Sequence, residues 1–236
     1  MGSKSKLMNF VLGGLNEMYT SGSTVLDLFS GSASLAGALS NQAPIVSNDI
    51  QAYSALLADT YTKAYKARKT PSAEFIISEA LKNAKPNIKK LPRLKPYGES
   101  LSLEEFNHRE QKQRELLDME FDSEYHLFTK IYSGTWWSAE QAVLIDALKE
   151  EADKYKSHPV YPVIMSSIMF AMAYTSIGTG HYAQYRDAKS LSSMKDIELY
   201  RKKPLLPIFE RKYLELLSWL PSKKRTYKHK SSQLDY

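Results

Sequence analysis

Apolar residues first recur at helical intervals, at Leu7, Phe10, Val11, Leu15 and Met18, a spacing that gathers them on one side of a helix. Ser21-Gly22-Ser23 interrupts the pattern with residues that favour turns. Thr24 to Phe29 is then a short β-branched and apolar run, the expected first strand. Ala33 to Leu39 is rich in small residues, as a helix lying close on a sheet requires, and Ile45-Val46-Ser47 makes a second short strand. Gln51 to Lys66, with Tyr and Leu on one side, completes a β-α-β-α order. Such an order predicts parallel strands joined by a right-handed crossover.

Beyond about residue 70 the alternation stops. Pro71 to Asn83, Leu101 to Met119, Ser138 to Tyr155, Pro159 to Thr175 and Lys203 to Trp219 all carry helical patterns. Ser138-Ala139-Glu140-Gln141 has the form of a capped helix start, with Ser as N-cap and Gln three positions on. Lys85 to Ser100, with prolines at 86, 92 and 96, is expected as a mobile loop, and the polar stretch Gly178 to Ser193 as a functional one. No internal repeat is present. The division expected is an α/β portion over 1–70, a helical segment over 71–195, and a C-terminal helix with a basic tail over 196–236.

With 236 residues, 43% of them hydrophobic, the chain can bury a substantial core. Pro162 to Ser176 is apolar but falls short of the roughly 18 residues of a membrane span. No basic flank precedes an apolar stretch at the N-terminus, so no signal peptide is expected. There are no cysteines, which removes disulfides, thiolate metal sites and cysteine nucleophiles together. The expectation is a soluble, cytoplasmic protein with no membrane contact and no metal. The net charge of +6 suits a polyanionic partner. Its basic residues are bunched as Lys82, Lys85, Lys89, Lys90, Arg93 and Lys95, and again as Lys223, Lys224, Arg225, Lys228 and Lys230. Both groups look loop-like and would provide salt-sensitive phosphate affinity; the alternative is a solvated surface and a frayed tail.

Candidate chemistry concentrates in the first fifty residues. Gly31 stands where a strand turns into a helix, so a ligand can approach the backbone there, and the helix start offers unpaired N–H groups. The turn lacks the third glycine of a dinucleotide fingerprint and the Gly-Lys-Ser/Thr of a nucleotide-triphosphate loop. The alternative is an ordinary tight connection. Asp49 follows the turn by about twenty residues, where an acidic group ending the second strand accepts both hydroxyls of a ribose. Its alternative role is a cap for the helix from Gln51.

Three segments resemble DNA adenine-N6 methyltransferases of the motif order in which cofactor motifs come first: Met1-Gly2-Ser3-Lys4-Ser5-Lys6-Leu7, Val25 to Ser34, and Ser47-Asn48-Asp49-Ile50. The first is similar to a Tyr-Ile-Gly-Ser-Lys-like opening, with a vector-derived leader as its alternative. The resemblance implies a Rossmann-like S-adenosylmethionine-dependent α/β fold with an incomplete sheet and a largely helical recognition segment. It implies a methyl-donor site of Gly2, Ser3 and Lys4, then Asp27, Phe29, Ser30, Gly31 and Ser32, then Asp49 and Ile50, with Asp235 of the tail near the adenine. Lys4 would reach the methionine part, Asp27, Phe29 and Gly31 would frame it, and Asp49 would hold the ribose.

Downstream, Tyr132-Ser133-Gly134 with Ser138 and Glu140, and Gly178-Thr179-Gly180-His181-Tyr182-Ala183-Gln184-Tyr185-Arg186, resemble family segments that precede the catalytic motif. The second implies a loop facing double-stranded DNA through Thr179, His181, Tyr182, Tyr185, Arg186 and Lys189, with Lys89, Lys90 and Arg93 as further contacts. Tyrosines and arginine there suit stacking and phosphate contact; packing onto neighbouring helices is the alternative. His181 has no ligand partner at metal spacing. Residues 71–122 match no family segment.

The catalytic Asp-Pro-Pro-Tyr, or its Asn variant, occurs nowhere in the chain. The expectation is therefore a split enzyme, in which a second polypeptide supplies that motif and forms an obligate heterodimer, in a restriction–modification or related defence system. The alternatives are a non-catalytic DNA-binding or regulatory protein, an artificial truncation, and an RNA or small-molecule methyltransferase.

Overall fold

A computed structural model describes residues 7–98, 101–177 and 185–234. The elements run α1 (Met8–Met18), β1 (Val25–Asp27), α2 (Ser34–Leu39), β2 (Ile45–Asn48), α3 (Ala52–Thr62), α4 (Ala73–Lys90), α5 (Leu103–Arg114), α6 (Leu127–Tyr132), α7 (Ala139–Asp153), α8 (Tyr161–Thr175), α9 (Leu191–Arg201), α10 (Leu205–Trp219) and β3 (Lys230–Ser232). A 3-10 turn, Glu115–Asp118, follows α5. Two compact units result, one of Met1–Thr70, Ser157–Ser166 and Leu216–Tyr236, the other of Pro71–Lys156 and Ser167–Glu215. None of the described helices is long and apolar enough to cross a membrane.

In the first unit the strands form a parallel sheet in the order β1-β2-β3. Val25 pairs with Ile45 and Leu26 with Val46, so successive residues face opposite sides of the sheet. The Val25/Ile45 side is covered: Ala33, Ala36, Leu39, Ile45 and Ala58 are buried there, with Leu12, Leu15, Leu57 and Tyr61 packed around them. Gly37 lies under the Tyr61 ring, which a Cβ would meet at 3.5 Å; the small residues of α2 thus let α3 close down on the sheet. On the other side Leu26 is 55% exposed. The physical cause is directional growth. Right-handed crossovers in a sheet that extends one way put every connecting helix on the same face.

The basic tail, expected to be loop-like, instead forms β3. Ser231 pairs with Ser47 in register, and Ser231 Oγ bonds to Asp59 while accepting from Lys63 Nζ at 2.8 Å. Side-chain anchoring to α3 offsets the poor strand propensity of Lys-Ser-Ser.

In the second unit the expected loop from Lys85 is corrected by a helix that runs on to Lys90 through Pro86. Proline removes one backbone donor, yet Ala80, Ala84 and Asn87 continue the buried stripe of α4 past it, and that burial keeps the helix in one piece. Ser72 caps its start by accepting from Phe75 N–H at 3.2 Å. Ser138 and Gln141 form the expected capping box on α7, and Ser102 with Glu105 forms another on α5. The short helix α6 has no helical pattern of its own in the sequence. It is held by Asp146, whose carboxylate accepts from Phe128 N–H at 3.0 Å, Thr129 N–H at 2.8 Å and Thr129 Oγ1 at 2.7 Å.

Candidate functional site

The carboxyl ends of β1 and β2 bring Asp27, Phe29, Ser30, Gly31, Ser32, Asp49 and Ile50 to one corner of the first unit. Gly31 has φ +50° and Ala33 φ +56°, two left-handed residues within three positions. The turn they make is tied to the end of β2. Ser30 N–H donates to Asn48 O at 2.9 Å and Gly31 N–H to Asp49 Oδ2 at 2.8 Å. Ala33 N–H donates to Ser30 O at 2.7 Å, and the Ser32 and Ser34 hydroxyls bond at 2.9 Å.

The N–H groups of Gly31 and Ala33, at the approach to the helix start where unpaired donors are expected, are therefore already satisfied inside the protein. The helix behind them has only six residues, so the turn backbone rather than a long helix dipole shapes this corner. Asp49 also accepts from Gln51 N–H at 3.0 Å, a local Asx turn just ahead of α3. The N-cap of α3 is Gln51, with no side-chain cap bond, so Asp49 ties the turn to the approach of α3 and does not cap the helix.

The residues fit a nucleoside-bearing methyl donor on two observations. A Cβ at Gly31 would meet nothing within 4 Å among the described residues, which leaves room for a ligand over the turn. Phe29 is 75% and Ile50 59% exposed at the two strand ends, offering apolar surface on either side of a carboxylate that retains lone pairs for hydroxyl groups. Ser30 is the exception, being buried with an unpartnered hydroxyl among the described residues. Gly2, Ser3, Lys4 and Asp235 lie outside the described residues.

Asn48, quoted in the motif but given no role, proves central. Its Oδ1 accepts from Ser232 Oγ at 2.7 Å and Leu234 N–H at 3.1 Å, and its Nδ2 donates to Leu234 O at 3.1 Å. This amide fastens the tail beside the same strand ends. An Asn after a β-branched run is the only local signal, and it does not name a partner 186 positions away.

The second unit carries the residues expected to meet DNA. Lys82, Lys85 and Lys89 are exposed on α4, and their spacing of three and four places them on one helical face. This corrects the loop setting expected for Lys85 and Lys89, whereas Lys82 falls within the helix expected over 71–83. Lys85, Lys89 and Arg93 make no ion pair among the described residues, whereas Lys90 pairs with Asp122 at 3.0 Å and Lys95 with Glu105 at 3.6 Å.

The Arg114 guanidinium lies 4.9 Å from the Tyr185 ring centre and bonds Asp187 at 2.7 Å and Gly134 O at 2.8 Å. Arg186 pairs with Asp196 at 3.4 Å, and Lys189 is exposed, its N–H donating to Ser193 Oγ at 2.9 Å. Thr179, His181 and Tyr182 lie outside the described residues. Arg114 was not singled out from sequence, because nothing local marks a partner 73 residues downstream.

Behind that surface, Arg201 bonds Glu110 through Nε and Nη2 at 3.1 and 2.8 Å, and Tyr97 donates to the other carboxylate oxygen. Burial first, and Glu110 beside it, push the Tyr97 hydroxyl well above its ordinary range, so it stays a neutral donor. Among the described residues no group of three or more His, Cys, Asp or Glu could hold a metal ion.

Neither the comparison with curated proteins nor that with solved structures gave a match. The family model of D12 class N6 adenine-specific DNA methyltransferase matches residues 1–133. That match spans 71–122, a stretch with no recognisable family motif, and it ends before the segment of Tyr185 and Arg186. It covers more than half of the chain, including every described residue of the β1–β2 corner. The chain belongs to the D12 class N6 adenine-specific DNA methyltransferases.

Proposed function

We propose that this polypeptide is the donor-binding and DNA-recognition component of a site-specific adenine-N6 methyltransferase, completed by a second polypeptide that carries the catalytic motif. Membership of the family implies DNA adenine methylation with S-adenosylmethionine as donor. Bound there, the donor supplies an electrophilic methyl group. Asp49 would hold its ribose, Asp27, Phe29, Gly31 and Ser32 would frame the rest, and Gly2, Ser3, Lys4 and Asp235 are the remaining candidates. Lys89, Arg93, Tyr185, Arg186 and Lys189 would contact the duplex, with Lys82 and Lys85 extending the basic face of α4.

The observation that carries the two-component reading is the one-sided sheet. Among the described residues the helical cluster lies on the Val25/Ile45 face, β1 is an edge strand, and Leu26 is 55% exposed on the other face. Strands added beside β1 would grow in the opposite direction, and their crossovers would cover that second face. The Asp-Pro-Pro-Tyr or Asn-Pro-Pro-Tyr motif, absent from all 236 residues, would arrive with them. Adenine must leave the duplex to be methylated, and that motif would hold its amino group. A restriction–modification or related defence system is the setting this chemistry suits.

The test is transfer of labelled methyl groups from S-adenosylmethionine to DNA, by this chain alone and with the polypeptide that co-purifies from its native source. Activity only in the mixture is expected. Activity of the chain alone overturns the two-component reading and leaves DNA methylation standing. A mixture that neither binds the donor nor transfers methyl groups moves the function to non-catalytic DNA binding.

A further inference from the structure

We propose that Asp49 is a positioning residue for the glycine turn of the donor site, in addition to its expected contact with the ribose. The proposal rests on the reading of that corner as the S-adenosylmethionine site. Gly31 and Ala33 both sit in the left-handed region, at φ +50° and +56°. Gly31 enters it freely, whereas Ala33 carries a Cβ, and a side-chain-bearing residue persists there only where surrounding contacts over-determine it.

Two bonds from the end of β2 and the residue after it hold the start of this turn: Asn48 O receives Ser30 N–H at 2.9 Å, and Asp49 Oδ2 receives Gly31 N–H at 2.8 Å. The second crosses 18 positions of chain and is the one made by a side chain. The other Asp49 oxygen is fixed by Gln51 N–H at 3.0 Å, so the carboxylate is oriented before any ligand arrives. A carboxylate has about four lone-pair sites. Two hold backbone amides, and the rest remain for a ribose diol. Asp49 therefore couples the two ends of the donor site: the group that receives the ribose also sets the turn facing the remainder of the molecule.

Amide hydrogen exchange at Gly31 in the ligand-free chain reads the clamp directly, without activity or a partner. Asp49→Ala is expected to speed that exchange about tenfold, as loss of a bond to a charged acceptor does. Asp49→Asn, which keeps a carbonyl oxygen, should fall between, and it carries the measurement if the alanine variant does not fold.

Affinities for S-adenosylhomocysteine and for its analogue lacking the 2′ and 3′ hydroxyls give a second readout. Loss of Asp49 should weaken both. Unchanged Gly31 exchange, or a variant that weakens only the hydroxyl-bearing ligand, overturns the positioning role. A wild-type chain that binds neither ligand removes the donor-site reading, and with it this role, even where the exchange difference stands.

Discussion

Glu110 and Arg201 meet across 91 positions of chain with side chains only 6% and 0% exposed. Thr135 O also accepts from Arg201 at 2.6 Å, and Gln113 Nε2 reaches the Tyr97 hydroxyl at 2.7 Å. Charges removed from water in this way depend on one another. Glu110→Gln would leave a buried guanidinium without its counter-charge, and a loss of about 3–5 kcal/mol is expected in urea unfolding. Replacing both partners with Leu and Met should recover much of that loss, because an apolar pair carries no desolvation penalty. At this scale the sequence was informative only where partners are close in the chain. Ser138 and Gln141 could be paired from their spacing; Glu110 and Arg201 could not, since any acidic residue of α5 would have served as well.

Among the elements, β1 carries the sharpest consequence. Val25 N–H donates to Pro44 O at 2.9 Å, and alternation along a parallel ladder turns the N–H and C=O of Leu26 to the free edge. Proline is tolerated on an edge strand where its missing N–H is not used. Leu26→Pro is therefore expected to leave donor binding by the lone chain within about twofold, while methyl transfer by the two-component mixture falls at least tenfold if a parallel strand adds there. Equal activity would place the second polypeptide elsewhere. The strands and helices over 7–66 were legible because each is a short period bounded by turn residues. The local pattern ends α4 at Asn83, but burial against α7 outweighs the breaker Pro86 and carries the helix on to Lys90. The β3 strand was missed for the converse reason: Lys-Ser-Ser has no strand pattern, and pairing with β2 supplies one.

For the whole molecule, the net charge of +6 becomes directional only through folding. Lys82 pairs with Glu79, Lys90 with Asp122 and Lys95 with Glu105, which leaves Lys85, Lys89 and Arg93 as the cations of that segment without a mapped ion pair. Counterion release scales with the phosphates neutralised. Changing these three to alanine is expected to reduce the slope of log affinity against log salt by about one per residue, measured by fluorescence anisotropy on duplex DNA. An unchanged slope would take α4 off the DNA-binding surface.

The chain by itself determined the β-α-β-α start, the glycine turn, the acidic residue after the second strand and the resemblance to adenine methyltransferases. All of these lie within a few turns of chain, where periodicity and turn chemistry act. Only the tertiary structure decided that Asp49 and Asn48 bond the turn and the tail, that Lys82, Lys85 and Lys89 share a helical face, and that Leu26 is exposed on one side of the sheet. Each of those depends on which distant segments meet, and burial and pairing select them by shape and charge that no local pattern records.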